Sequence, residues 1–178
     1  MKNANPVYLL PAWMASVALV LLAAGCGGDK GPDASAGQKT IFDHFAISVG
    51  GHPASLQLAV LESEQQRGLM QRPDLGPDEG MIFVDARPHQ LSFWMHNTPE
   101  PLDLAYATAD GVVVETYDLL PFDERIVYSH RSDLQIGLEM PKGWFAANGV
   151  RAGSQIDMAA VRAALKDRGF EPGKLGLP

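Results

Sequence analysis

The segment LQIGLEM, residues 134–140, carries the cleanest alternation in the chain, with Leu134, Ile136, Leu138 and Met140 separated by Gln135, Gly137 and Glu139. Successive side chains of a strand point to opposite faces, so this spacing predicts a strand with one apolar face. Working outward, Leu91, Phe93 and Met95 repeat the period and predict a strand ending near Asn97. Phe45, Ile47 and Val49 repeat it again, as do Leu56, Leu58 and Val60, and Gly50-Gly51-His52-Pro53 between these two runs makes them a hairpin. Residues 102–108 and 112–117 flank Ala109-Asp110-Gly111. Asp-Gly between β-prone runs is a strong hairpin signal because both central residues can reach positive φ. Residues 81–84 and 154–157 supply two shorter strands.

Helical signals are fewer. Ser63 with Gln66 three residues on has the form of a capping box, predicting a short helix over 64–70 that Pro73 and Gly76-Pro77 stop. A second short helix is expected over 141–148, with Pro141 in its first turn and Gly149 beyond its end. Asp157 is placed to cap a last helix over 158–168, closed by Gly169. The expected fold is therefore β-rich α+β: a small barrel-like antiparallel sheet with two short helices and a C-terminal helix.

Ahead of this domain, Lys2 supplies a positive start and residues 7–24 are almost entirely apolar, the form of a secretory signal. The run is interrupted by Pro11 and is slightly shorter than the ~20 apolar residues of a spanning helix. Leu22-Ala23-Ala24-Gly25-Cys26 resembles a bacterial lipobox, which implies cleavage before Cys26 and lipidation of its sulfur and new amine. The single cysteine can form no internal disulfide, in keeping with that role. Two or three acyl chains hold a protein stably on a membrane where one holds it marginally. Gly27 follows in place of an aspartate, which by analogy with lipoprotein sorting in Gram-negative cells points to the periplasmic face of the outer membrane. GGDKGPDASAGQ, residues 27–38, lacks large apolar side chains and reads as a flexible tether. The expected organisation is a signal over 1–25, lipidated Cys26 and tether over 26–39, and one domain over 40–178. The mature chain loses Lys2 and is one charge more negative than the full chain's −7. With no basic cluster, that balance argues against nucleic acid as a partner. No phosphate loop or dinucleotide fingerprint occurs, and no cofactor is expected.

Four ordered blocks resemble the DUF192 family, also called ACR. RGLMQRP (67–73) is similar to its Arg-Gly-Leu-Met-x-Arg block, and GMIF (80–83) to its Gly-Met-Leu-Phe strand. FWMHNTPEPLD (93–103) resembles its Phe-Trp-Met-Lys-Asn-Thr-x-x-Pro-Leu-Asp signature, with His96 where lysine is common. LEMPKGWFAANGVRAG (138–153) resembles its closing block, with Ser154 where an aspartate often follows. The resemblance covers roughly residues 45–157 and implies a barrel-like β fold, but no accepted chemistry.

The polar residues of these blocks are Arg67, Arg72, Asn97, Thr98, Asp103 and Glu139. One reading makes Asp103 and Glu139 the acid and its partner in glycan or peptide hydrolysis; in glycosidases such carboxyls stand ~5 to 9 Å apart. The favoured reading is architectural. Asn97 and Thr98 would bond local backbone, Asp103 would accept amides of the Pro99–Pro101 turn, and Arg67 or Arg72 would neutralise Asp103 or Glu139. Ion-pair networks perturb carboxylates as readily as catalysis does. Trp94 lies on the strand face opposite Phe93 and Met95, either exposed to stack on a sugar or grip a peptide, or covered by an end helix; the sequence leaves both open. Ser129 and His130 are neighbours that would point to opposite faces, a poor dyad. The five histidines show no zinc spacing, and Met70, Met81, Met95 and Met140 read as core filler over Cu(I) ligands, so no metal is expected. The leading expectation is a non-catalytic, membrane-anchored envelope domain. It would bind a small ligand, glycan or protein partner through Trp94, Asn97, Thr98, Asp103, Arg67 and Arg72. The alternative is an envelope hydrolase using Asp103 and Glu139.

Overall fold

The computed structural model describes residues 37–177, so the signal segment, Cys26 and the tether through residue 36 lie outside the described residues. The strands are β1 (Phe45–Val49), β2 (His52–Ala59), β3 (Glu79–His89), β4 (Ser92–Phe93), β5 (Leu102–Ala107), β6 (Val113–Leu119), β7 (Val127–Tyr128) and β8 (Leu134–Pro141). The helices are α1 (Glu62–Arg67), α2 (Trp144–Ala147) and α3 (Met158–Asp167), followed by a 3-10 turn at Pro172–Leu175. The fold is β-rich α+β, as the alternation predicts.

Six strands make one sheet in the order β1-β2-β3-β8-β5-β6, and β4 pairs with β7 apart from it. The sheet is mixed where an antiparallel one was expected: β2 and β3 run parallel, because α1 carries the chain across between them. It also stays open, which corrects the barrel expectation. The strand predicted over 154–157 is reduced to two bridges, Ile156 to Val49 near the β1 edge and Gln155 to Val112 near the β6 edge. That segment straps the outer strands together at one end without closing the sheet.

The strand over 134–140 holds the centre, paired with β3 on one side and β5 on the other. Its expected polar face is buried as well: Gln135 is 0% and Glu139 4% exposed. Each face of the sheet has its own core. Ile82, Ile136, Leu138 and Met140 pack with Trp144, Val161 and Leu165 under the helices. Met81, Phe83, Leu104 and Tyr106 pack with Leu69 and Met95 under the loop layer that carries β4. Gly137 leaves the space that Phe93 occupies; a Cβ there would strike the ring.

Several boundaries move for local reasons. α1 begins two residues early because Glu64, not Ser63, caps it: its Oε2 accepts the amides of Val60 and Leu61, both at 3.0 Å. The helix ends at Gly68, whose φ of 46° and ψ of −133° suit only glycine. The strand predicted over 91–97 keeps only Ser92–Phe93. Pro141 finishes β8 instead of starting a helix, and α2 is a single turn. In the β5–β6 turn Gly111 alone of the Asp-Gly pair takes positive φ. Asp157 caps α3 as expected, with Oδ1 accepting the amides of Ala159 and Ala160.

The end of α3 is fastened to the start of α1. Arg168 is 6% exposed, with Nη2 at 2.5 Å from Glu64 Oε1 and Nη1 donating to the Leu58 carbonyl. Just upstream of β1, Lys39 donates its amide to the Asp167 carbonyl at 3.1 Å. Removing one member of a buried pair leaves a charge without compensation, so Arg168→Leu is expected to cost about 3–5 kcal/mol. Urea unfolding checks this, and a loss of under about 1 kcal/mol would show that the clamp holds nothing.

Candidate functional site

The register of β5 against β8 decides the fate of the two signature carboxylates. Asp103 lies opposite Met140 and Leu104 opposite Glu139. Paired residues share a face, so Asp103 projects to the helix-covered side and Glu139 to the other. A hydrolase using the two across one cleft is therefore excluded by the pleat, which corrects that alternative.

Asp103 is 4% exposed and occupied with backbone. Its Oδ2 accepts the amides of Gly143 at 3.0 Å and Phe145 at 2.9 Å, fastening the entry to α2 onto β5. Oδ1 lies 3.4 Å from Lys142 Nζ, which also pairs with Asp118. Asp118 first, and then Asp103, raises the Lys142 pKa above its ordinary value. The amides Asp103 takes are thus not those of the Pro99–Pro101 turn, and its cation is neither Arg67 nor Arg72. Trp144, on the turn Asp103 secures, is 6% exposed and donates from Nε1 to Asp78 Oδ1 at 2.9 Å.

Glu139 stands in the opposite core, flanked in register by Met81 and Leu104. No hydrogen-bond donor among the described residues reaches its carboxyl, and burial alone pushes its pKa up to about 8. The arginine pairing expected for it does not occur. Arg72 donates instead to Asp74 Oδ1 at 2.8 Å and Gln57 Oε1 at 3.0 Å, while Arg67 lies 5.3 Å from the centre of the Phe42 ring.

The opening of the signature, residues 94–98, makes an exposed corner. Trp94 is 45% exposed, with Phe93 half-buried and Met95 buried beneath, and its indole stacks on His96 at 4.7 Å. His96 Nδ1 reaches Glu124 at 2.7 Å. Thr98 ties off local backbone as expected, its hydroxyl donating to the His96 carbonyl at 3.2 Å. Asn97 works through its main chain: at a φ of 52° it turns the chain, and its carbonyl accepts the Gln71 amide at 2.8 Å.

Gln71 and Phe122 also have positive φ, 57° each, so the three non-glycine residues in that region among the described residues all meet here. The Phe122 amide donates to the Thr98 carbonyl at 3.0 Å, completing the junction. Together with Pro73 and Pro99 these residues line an open cavity of about 320 Å³. The loop over 120–126 adds Leu120, Phe122 and Ile126, each at least half exposed. Side chains pay a steric cost at positive φ, and such strain collects at ligand clamps and switch regions. Sequence reasoning found Trp94, Asn97 and Thr98 but missed Gln71, Phe122 and the 120–126 loop. The Leu120-Pro121-Phe122 run beside Asp123 was the available signal.

A second polar cluster was also missed. Tyr117 donates to Glu115 Oε2 at 2.6 Å and lies 2.9 Å from His130 Nδ1. Burial first, and then Glu115, pushes Tyr117 up to about 12. Ser129 takes no part: its hydroxyl accepts the Leu91 amide and donates to the Arg131 carbonyl. Met81, Met95 and Met140 are buried in the cores. Among the described residues no three His, Cys, Asp or Glu side chains group closely enough to hold a metal.

Comparison with known proteins agrees with the blocks read from the sequence. The DUF192 family model, described as Uncharacterized ACR, matches residues 45–158. A crystal structure of a putative transcription regulator from Sinorhizobium meliloti superposes with a TM-score of 0.63 at 27% identity, covering 67% of this chain and 96% of that one. A protein of unknown function from Novosphingobium aromaticivorans gives 0.60 at 33% identity, covering 64% and 84%. Among curated proteins, none matches.

Glu139 generates a pH prediction whose sign follows from linkage. Its folded pKa of about 8 lies above the ~4.3 of a free glutamate, so between these values the folded chain holds a proton that the unfolded chain has lost. Stability from this group is complete below the lower value and declines as pH rises through the higher one. Urea unfolding from about pH 5 to about pH 8 is expected to lose up to ~1.4 kcal/mol per pH unit, a slope that Glu139→Gln removes. Parallel slopes for the two proteins would contradict the assignment.

Proposed function

The chain belongs to the DUF192 family, and we propose that it is a non-catalytic, lipid-anchored cell-envelope protein whose domain binds at the 94–98 corner. The observation that carries this reading is the convergence of Gln71, Asn97 and Phe122, all at positive φ, on one open cavity, with exposed Trp94 three residues before Asn97 in the chain. The indole face offers stacking for a sugar ring or a grip on a peptide side chain. Prolines and tied backbone hold the site in one shape before its ligand arrives, which lowers the ordering cost of binding. The ligand class is a small molecule, glycan or protein partner of the envelope. Thr98 supports the corner through its bond to the His96 carbonyl, whereas Asp103 holds the entry to α2 on the other face of the sheet.

Support for the anchor comes from the lipobox-like run ending at Cys26, and support for the periplasmic face of the outer membrane from Gly27 after it. Cys26→Ala is expected to abolish labelling by radioactive palmitate and to release the protein from the membrane fraction. Labelling that persists would dismiss the anchor.

For the corner, the full mature protein is to be titrated with soluble cell-wall glycan fragments and envelope peptides, following indole fluorescence and product formation together. Binding without turnover is expected, weakened roughly tenfold or more by Trp94→Ala. Turnover that Asp103→Asn abolishes would replace this reading with an enzyme.

A further inference from the structure

A second cavity, of about 210 Å³, lies between the end of α1 and the residues leading into β1, lined by Ile41, Phe42, Gln57, Arg67, Gly68, Arg72 and Met81. Two arginines line it and no carboxylate does, in a chain whose net charge is −7. Its two arginines are held differently. Gln57, 3% exposed, donates from Nε2 to the Ile41 carbonyl at 2.9 Å, which fixes its Oε1 as the acceptor for Arg72 Nη1 at 3.0 Å. Asp74 takes Arg72 Nε, and no bond engages Nη2 among the described residues. Arg67 forms no ion pair among the described residues and rests against the Phe42 ring. The turn at Gly68 sets both arginines on one cavity, since the chain can reverse there only through a backbone geometry open to glycine.

We infer that this cavity binds a small oxyanion ligand, a carboxylate or a phosphate ester, that carries a short apolar group. Guanidinium groups match both oxyanions with paired N–H donors, and Arg67 and Arg72 approach from separate segments, as a clamp requires. Ile41, Phe42 and Met81 supply the apolar wall. The volume falls below the ~300 Å³ at which drug-sized pockets begin, so the ligand is small. Arg72 is already paired with Asp74, so Arg67, which forms no ion pair among the described residues, is the charge that draws a small anion to this concavity. The inference deepens the binding reading without depending on the corner, because the two sites share no lining residue.

The test uses the full mature chain with butyrate, butyl phosphate and, as a control without an oxyanion, 1-butanol. Chemical shifts of the Arg67 and Arg72 side-chain N–H groups and the Met81 methyl report occupancy. Saturable shifts with butyrate or butyl phosphate but not 1-butanol are expected, and whichever anion shifts them tells carboxylate from phosphate. Arg67→Gln, at an exposed side chain, is expected to weaken binding roughly tenfold or more with the urea midpoint unchanged. Arg151→Gln, elsewhere on the surface, leaves binding as it was. Absence of saturation by either anion at a Kd of about 10 mM or tighter, or binding indifferent to Arg67→Gln, would overturn the inference. Neither result bears on the Trp94 corner, whose titration has its own variants.

Discussion

One carboxylate organises the region that marks this family. Asp103 Oδ2 takes two amides at the entry to α2, Gly143 and Phe145, and so welds the chain leaving the central strand β8 back onto its neighbour β5. A charged acceptor for backbone N–H is about twice as strong as a neutral one, and here the bond to Phe145 is shielded from water while Gly143 is exposed. Trp144 and Phe145 follow directly and close the helix-side core. The aspartate of the signature is thereby committed to holding backbone, which leaves the residues before it to face outward.

The pleat does the rest. With β8 buried on both sides, alternate residues serve two unrelated cores, and Asp103 and Glu139 are separated by the sheet although their pairing partners adjoin. Glu139 is left among Met81 and Leu104 with no donor among the described residues, a location that favours the neutral acid. On the same side the loop layer folds over Leu69 and Met95, and its strained turns at Gln71, Asn97 and Phe122 surround the open corner. Binding surface and loop-side core are two sides of one layer.

The apolar period revealed most of the strands because it reports burial directly. It located β1, β2 and β8, while the Asp-Gly turn marked β5 and β6 and a capping aspartate, Asp157, marked the start of α3. It could not tell that the polar face of β8 would also be covered, because the covering layer comes from residues 69–75 and 91–101, far off in sequence and largely without strand structure. The α1 cap was misplaced because two acidic and hydroxyl candidates, Ser63 and Glu64, sit side by side, and only the docking of Arg168 onto Glu64 selects the second. Trp94 and Asn97 were legible from the incongruity of FWMHNTPEPLD. Phe122 was not, because its importance comes from a main-chain bond to Thr98 across the loop. The arginine partners were misjudged for a similar reason: charge suggests pairing, but the pleat places Glu139 out of the way and a neutral Gln57 beside Arg72.

The signature aspartate holds backbone at the entry to α2. Native-state amide hydrogen exchange tests this role most directly, comparing the wild-type chain with Asp103→Ala. The Gly143 and Phe145 amides are expected to lose protection by roughly tenfold or more while the Tyr106 amide within β5 keeps its own. Unchanged protection at Gly143 and Phe145 would contradict it, and would return Asp103 to the residues available for chemistry.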